Sequence, residues 1–415
     1  MISIPSTDRL KPEQVSLPGG RQLYTFRNGS TSLVRLDFLH EAGSFYQPKP
    51  LVSAATCKLH LIAGGDYTAD RLSEFMDYRG IIVDHTPNVL QCGTSVYFLR
   101  RYADELLPVL AEVLRNPAFP QQQFDTYCSK RRQEMLAALQ KTGEVARRMF
   151  YQALFGKEHP LGRYADPEDI DNLTVDDLRR FYQQNYSLPD TVLVAGGAVD
   201  DGLLSLIDTH FGSSVSLATH TVLSSPSTPP AHSTLVKKIE GTVQTTVRLG
   251  RVLPLRWDDM DYARCMILVT ALGGYFGSCL MSNLREDKGY TYGIYARTQI
   301  YRGVIVFFVT ADVAAGTAKD AEREIRTEIA RLREEPMPEE ELEMVKKVLV
   351  GDFLRSVDGV FELTERFCDM YGTDVDERLT ENLRIAINET TAPQLQELAG
   401  RLLQDDSLLC CCAGA

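Results

Sequence analysis

TVDDLRRFYQQNYSLPDTVLVAGGA (Thr174–Ala198) and TAPQLQELAGRLLQDDSLLCCCAGA (Thr391–Ala415) are parallel stretches set 217 residues apart, with Leu178 falling on Leu395 and Gly197 on Gly414. In this reading Cys410, Cys411 and Cys412 are small apolar residues of a closing strand, like Val194 to Gly196 in the first copy, and not a metal or redox centre. Working outward, the repetition extends over both halves. Around Gly80 a helical pattern (Ala69 to Tyr78) leads through RGIIVDHTP and VLQCGTSVYFL to a helix from Tyr102 to Arg115, then Pro120 and another helix. Around Gly289 a helical pattern ending at Arg285 leads through KGYTYGIYARTQ and GVIVFFVTADV to a helix from Lys319 to Glu334, then Pro338 and another helix. The amphipathic stripes Tyr102–Val113 and Ala321–Leu332 read as core-facing.

A chain of 415 residues is too long for one compact core. Ser213–Leu235 (SSVSLATHTVLSSPSTPPAHSTL), rich in Ser, Thr and Pro and nearly free of charge, reads as a linker between the copies. The predicted division is an N-terminal domain over residues 1–212, a linker over 213–235 and a C-terminal domain over 236–415. Strands come as hairpins and helices as consecutive groups. The expected class is therefore α+β, with two homologous sandwich domains, each a mostly antiparallel sheet covered by helices on one side.

Composition narrows the function. A net charge of −12 leaves no basic surplus to neutralise phosphates, so DNA, RNA and anionic membranes are not expected partners. The segment Met1–Arg21 lacks the basic start and apolar run of a signal peptide, and apolar stretches such as Val304–Thr310 are far shorter than a bilayer needs. Nine cysteines, an odd number, suit free thiols in a reduced, cytoplasmic setting. Neither G-x-G-x-x-G nor G-x-x-x-x-G-K-[ST] is present, so no nucleotide site is expected.

LGGYFGSCLMSNLREDKGYTYGIYA (Leu272–Ala296) carries paired glycines, Gly-Ser, a helix ending in Leu-Arg-Glu, a further glycine and an aromatic-containing strand. It is flanked by VQTTVRLGR (Val243–Arg251), read as an edge strand, and by DMDYARCMILVTALGG (Asp259–Gly274), read as the helix leading to the glycines. Together these resemble the C-terminal domain of the pitrilysin, insulin-degrading enzyme and mitochondrial processing peptidase family. The resemblance implies that Arg285 and Tyr292, seven residues apart, form the Arg/Tyr pair that reaches into that family's active site. Tyr292 would donate to the oxyanion of the peptide-hydrolysis transition state, and Arg285 would hold the substrate backbone or orient Tyr292. It also implies substrate-binding positions at Gly273, Gly274, Gln244 and Thr245.

The family's zinc motif, an inverted H-x-x-E-H on a helix of the first half, is missing. The seven histidines (His40, His60, His85, His159, His210, His220 and His232) include no helical neighbours, so H-E-x-x-H is excluded as well. The helix that should carry the motif is LVSAATCKLHLIAGGDYT (Leu51–Thr68). In the best register its last His is His60, the first becomes Thr56 and the Glu becomes Leu59; the other registers end on Leu59 or Lys58. Glu134 stands near where a distant Glu ligand would lie and reads as a surface glutamate, while His85 and His159 read as loop residues. The chain itself is expected to hold no zinc and no other cofactor.

Three functional readings follow. In the first, the chain is the non-zinc-binding subunit of a heterodimeric zinc metallopeptidase. It is inactive on peptides alone and supplies Arg285 and Tyr292 to a homologous partner that carries the zinc. In the second it is a catalytically silent peptide-binding or structural module of the same fold. In the third, Cys57 and His60, at i and i+3 on one helical face, form a thiolate–imidazole pair.

Overall fold

The run Leu33–His40 is apolar or buried along almost its whole length, as a central strand covered on both faces must be. The computed structural model, which describes Ile4 and residues 10–213 and 233–415, places it there. The first half supplies strands β1 (Glu13–Ser16), β2 (Gln22–Arg27), β3 (Leu33–His40), β4 (Ile82–Pro87), β5 (Cys92–Leu99) and β6 (Val192–Gly197). The second supplies β7 (Thr234–Lys238), β8 (Gln244–Leu253), β9 (Thr291–Tyr301), β10 (Val304–Ala314) and β11 (Leu409–Gly414). The helices of the first half are α1 (Val52–Leu59), α2 (Ala69–Arg79), α3 (Ala103–Arg115), α4 (Gln121–Leu139), α5 (Thr142–Phe155), α6 (Val175–Asn185) and α7 (Asp201–Phe211). Those of the second are α8 (Met260–Gly273), α9 (Ala318–Glu334), α10 (Glu339–Arg355), α11 (Val360–Thr373), α12 (Arg378–Glu389) and α13 (Ala392–Leu402). None of the described helices is long and apolar enough to cross a membrane.

The sheets run β1-β2-β6-β3-β5-β4 and β7-β11-β8-β10-β9. Apart from the extra β1 they share one topology: β2–β6 and β7–β11 pair in parallel, and the remaining neighbours are antiparallel. The 217-residue offset holds to the residue, since β6 (192–197) maps onto β11 (409–414). The matching threonines both open capping boxes, Thr174 with Asp177 ahead of α6 and Thr391 with Gln394 ahead of α13, so each satisfies the first free N–H groups of its helix. The predicted linker falls largely on residues 214–232, outside the described residues, and its last two residues already belong to β7.

Two expectations are corrected. The segment containing Gln244 and Thr245 is not an edge strand: β8 lies between β11 and β10, and the free edge at the motif is β9. Nor are the sheets covered on one side only. Helix α5 of the first half lies on β8 and β11, and α11 of the second half lies on β6 and β2. Phe150, Tyr151 and Leu154 of α5 pack against Val306, Phe308 and Cys411, while Phe367 and Cys368 of α11 pack against Phe26 and Val194. The apolar residues at nearly every position of β10 need a cover on each face, and the exchanged helices provide it.

A buried ion pair also crosses between the halves. Arg302, in the β9–β10 turn and 0% exposed, donates from Nη1 and Nη2 to the Glu41 carboxylate at 2.7 and 2.6 Å. Tyr46 donates to the same carboxylate at 2.8 Å. Removing Glu41 strands a fully buried guanidinium, whereas removing Arg302 leaves a carboxylate that keeps Tyr46 and some access to water. Denaturant unfolding is expected to show Glu41→Ala losing about 3 kcal/mol, and Arg302→Met clearly less; an equal loss in both would show that burial of the cation is not what sets the cost.

Candidate functional site

Helix α1 opens at Leu51, held in the left-handed region (φ 70), and ends at Leu59, so His60 falls on its C-cap. The His60 ring is fully buried, with Nδ1 2.9 Å from the Cys57 carbonyl and 3.3 Å from that of Thr56. A carbonyl only accepts, so Nδ1 carries the proton and Nε2 accepts from the Thr94 hydroxyl at 3.3 Å. That hydroxyl in turn accepts from His85 Nδ1 at 3.2 Å. His85 is therefore a β4 residue facing His60, with ring centroids 5.2 Å apart, and not part of a loop. His40 of β3 completes the group 6.4 Å from His60, with its Nδ1 3.1 Å from Thr191 Oγ1 and its ring against Tyr186. Sequence spacing gave no sign of this trio, because residues 20 and 25 apart meet only through the sheet. His159 does lie in a loop, stacked on Phe155.

Burial sets the protonation of the trio. Desolvation lowers His60 to about 4, helped by no neighbouring anion, and lowers His85 to about 2 with the nearby His60 and Lys58 adding to the effect. It also holds His40 well below its ordinary value. The ring nitrogens of His60 are committed to internal hydrogen bonds, so the trio is a packed neutral cluster. The thiolate–imidazole reading fails on the same geometry. Cys57 Sγ turns toward the Gly93 carbonyl at 3.8 Å, and its hydrogen bond with Cys92 and its burial push its thiol well above the ordinary range.

The solvent-facing side of α1 is different. Ala54, Lys58 and Leu59 line a groove of about 650 Å³ together with Tyr127, Arg131 and Glu134 of α4. In the register that ends on Lys58 the first His becomes Ala54 and the Glu becomes Cys57; Ala54 and Lys58 line the groove, whereas Cys57 is buried and His60 does not reach it. Lys58 Nζ donates to the His85 carbonyl at 2.8 Å, so an ammonium sits on the face where the motif would place a ligand. Glu134 is exposed on this wall and pairs with Arg131 at 3.4 Å.

In the second half, packing accounts for the paired glycines. A Cβ on Gly273 would stand 2.6 Å from the Ala296 nitrogen of β9, and one on Gly274 would stand 2.5 Å from the Thr270 Cα of its own helix. The chain then forms a π-helical turn, Met281–Asp287, anchored to α9 by Asn283–Glu328 (2.6 Å) and Lys288–Glu324 (2.7 Å). Arg285, on this turn, lays its guanidinium 4.7 Å over Phe276, which is 61% exposed. Tyr292 lies on the free edge of the sheet and is 89% exposed. Ile294 and Ala296 are buried, so strict alternation would bury Tyr292 too. A bulge prevents this: Ile294 pairs with Ala311 and Thr291 with Val313, so Tyr292 and Gly293 together oppose one residue. Thr245 pairs with Val313 at the same end of the sheet, two strands from Tyr292, and its hydroxyl bonds Ala415 at 3.2 Å; Gln244 next to it is exposed.

The histidine cluster makes stability depend on pH. In the unfolded chain a histidine titrates near 6.5, and in the fold these three resist protonation. Their contribution is complete above about pH 6.5 and is lost as pH falls toward the folded value near 4 for His60 and near 2 for His85. At pH 5 His60 alone is expected to cost about 2 kcal/mol relative to pH 7. Chemical unfolding at the two pH values checks this: His60→Asn should shrink the difference by that amount, and an unchanged pH dependence in the variant refutes it.

Residues 172–349 match the family model described as the peptidase M16 inactive domain. An uncharacterized zinc protease of Mycobacterium bovis is 32% identical over 205 residues, 44% of this chain and 46% of the relative. A protein of Helicobacter pylori named a non-peptidase homolog is 25% identical over 289 residues, 67% of this chain and 65% of the relative. The chain thus spans about half the length of the mycobacterial relative it matches. Among solved structures, an M16 inactive domain from Pseudomonas fluorescens superposes with a TM-score of 0.84 at 20% identity, covering 97% of this chain and 98% of that one. A protease from Helicobacter pylori gives 0.85 at 17%, covering 98% and 100%. At those identities the structures speak for the fold: the chain has the fold of the M16 inactive-domain structures, residues 172–349 are similar to the peptidase M16 inactive domain, and the first half lacks the H-x-x-E-H zinc motif.

Proposed function

We propose that the chain is the non-zinc-binding subunit of a heterodimeric zinc metallopeptidase. It would place Arg285 and Tyr292 opposite the zinc of a homologous partner and act on peptide substrates only in that complex. The observation that carries this reading is the outward turn of Tyr292. A phenol on a free strand edge, released from the core by a bulge, has no packing reason to face solvent. A phenol and a guanidinium on such a surface can stabilise the negative charge that develops on a scissile carbonyl. Gly273, Gly274, Gln244 and Thr245 would shape the floor near the pair, and the cytoplasm is the expected setting. The silent peptide-binding module remains the second reading, favoured by the loss of every motif residue on the open face of α1.

Reconstitution with the zinc-bearing homologue separates the two. Tyr292→Phe removes one exposed hydroxyl and leaves packing unchanged, so assembly should persist while turnover falls by roughly 10² to 10³. Arg285→Ala should raise the apparent KM as well. Full peptide hydrolysis by both variants, measured at equal complex concentration, would leave the silent module as the correct account.

A further inference from the structure

Cys410 and Cys412 alternate with Cys411 along β11, so they share the face turned toward α9 while Cys411 meets α5. Their Sγ atoms are 3.9 Å apart, and a carboxylate oxygen of Glu322 on α9 stands with both sulfurs inside a 4.8 Å span. Two thiolates bound to a tetrahedral zinc at about 2.3 Å stand about 3.8 Å apart, so the strand already holds the pair at ligand spacing. The pair is poorly placed for a disulfide, because residues two apart on a strand have Cα atoms about 6.6–6.8 Å apart, at the outer limit of disulfide geometry.

The surroundings also suit a cation. Arg326 donates to Glu322 Oε1 from Nε and Nη2 at 3.0 and 2.9 Å, and Thr234 donates to the same oxygen at 3.0 Å. These bonds orient the carboxylate as outer partners do around a metal, and Oε2 carries no hydrogen bond among the described residues. Two thiolates and a carboxylate around a divalent ion leave one net negative charge, which the adjacent Arg326 guanidinium offsets. Glu322 and Arg326 also line a surface groove of about 470 Å³, which brings the carboxylate side of the cluster to solvent while the two sulfurs stay buried.

We propose that Cys410, Cys412 and Glu322 form a zinc(II) site with three protein ligands and a fourth position left to water. The donor set is soft enough to select a thiophilic d¹⁰ ion over magnesium or calcium. The site lies in the second half, apart from α1, and departs from the reading of Cys410 and Cys412 as packing residues of a closing strand.

The test titrates cobalt(II) and then zinc(II) into the full, reduced chain. One equivalent of cobalt should produce thiolate-to-cobalt charge-transfer absorption, and zinc should displace it. The Cys410→Ser/Cys412→Ser double variant should lose the band, Cys411→Ser should keep it, and Glu322→Gln should weaken cobalt binding by at least roughly 10-fold. Alkylation of the wild-type chain followed by mass spectrometry needs no variant: zinc should protect Cys410 and Cys412 and leave Cys128 as reactive as before. No charge-transfer band in the wild type, a band retained by the double variant, or no protection of the two thiols overturns the proposal.

Discussion

Both sheets depend on an exchange of cover. A sheet whose strands are apolar on both faces cannot leave one of them in water, and each half keeps its own helices on only one face. Helix α5 leaves the first half to close the second sheet, and α11 leaves the second half to close the first. Phe150 and Tyr151 on one side and Phe367 and Cys368 on the other therefore belong to cores built mainly by the opposite repeat. Neither repeat can bury its apolar surface alone, so the two should fold as one cooperative unit. The Arg302–Glu41 pair fixes the register of the arrangement, since a buried guanidinium tolerates little displacement from its carboxylate.

The same economy of burial explains the divergence of the two candidate sites. Around α1 the polar groups have been drawn into the core: His60 is satisfied by Cys57, Thr56 and Thr94, and His85 by Thr94. Imidazoles stabilised this way have their lone pairs and protons assigned within the fold, which is the opposite of what a metal site asks of them. The open face of α1 meanwhile offers Ala54 and Lys58, a methyl group and a cation. In the second half the polar and aromatic groups point outward and the turn beneath them is pinned by Glu324 and Glu328.

Much of this was legible in the sequence, and the reason differs by feature. The duplication could be read because the repeats kept the same spacing of Thr, Leu and Gly, and those residues cap, pack and turn in both copies. The missing motif could be read because helical neighbours are a local property. What could not be read depends on contacts far apart in the chain. The exchange of α5 and α11, the interior position of β8 and the meeting of His40, His60 and His85 are set by sheet order, which no local window contains. One clue was present in Val304–Thr310: an apolar run without alternation signals a strand covered on both faces. The inward turn of His60 was not legible either: α1 ends at Leu59, and the ring bonds the Thr56 and Cys57 carbonyls behind it.

Tyr292 is where local and global preferences disagree. Alternation along β9 assigns it to the buried face with Ile294 and Ala296, which packs with the residues of α8. The chain instead accepts a bulge, where the Thr291 hydroxyl takes the place of ladder partners by accepting from the Gly293 N–H at 3.1 Å and donating toward the Asp312 carbonyl at 2.7 Å, and exposes a large aromatic surface to water. Gly293 beside it leaves open space where a Cβ would stand, so the bulge meets no steric obstacle, but nothing in the fold requires it. A cost carried without a packing gain is the usual mark of a residue held for contact with something outside its own chain. On that reasoning the bulge, more than the identity of Arg285 or Tyr292 alone, is the part of the motif on which the proposed contact with an external ligand rests.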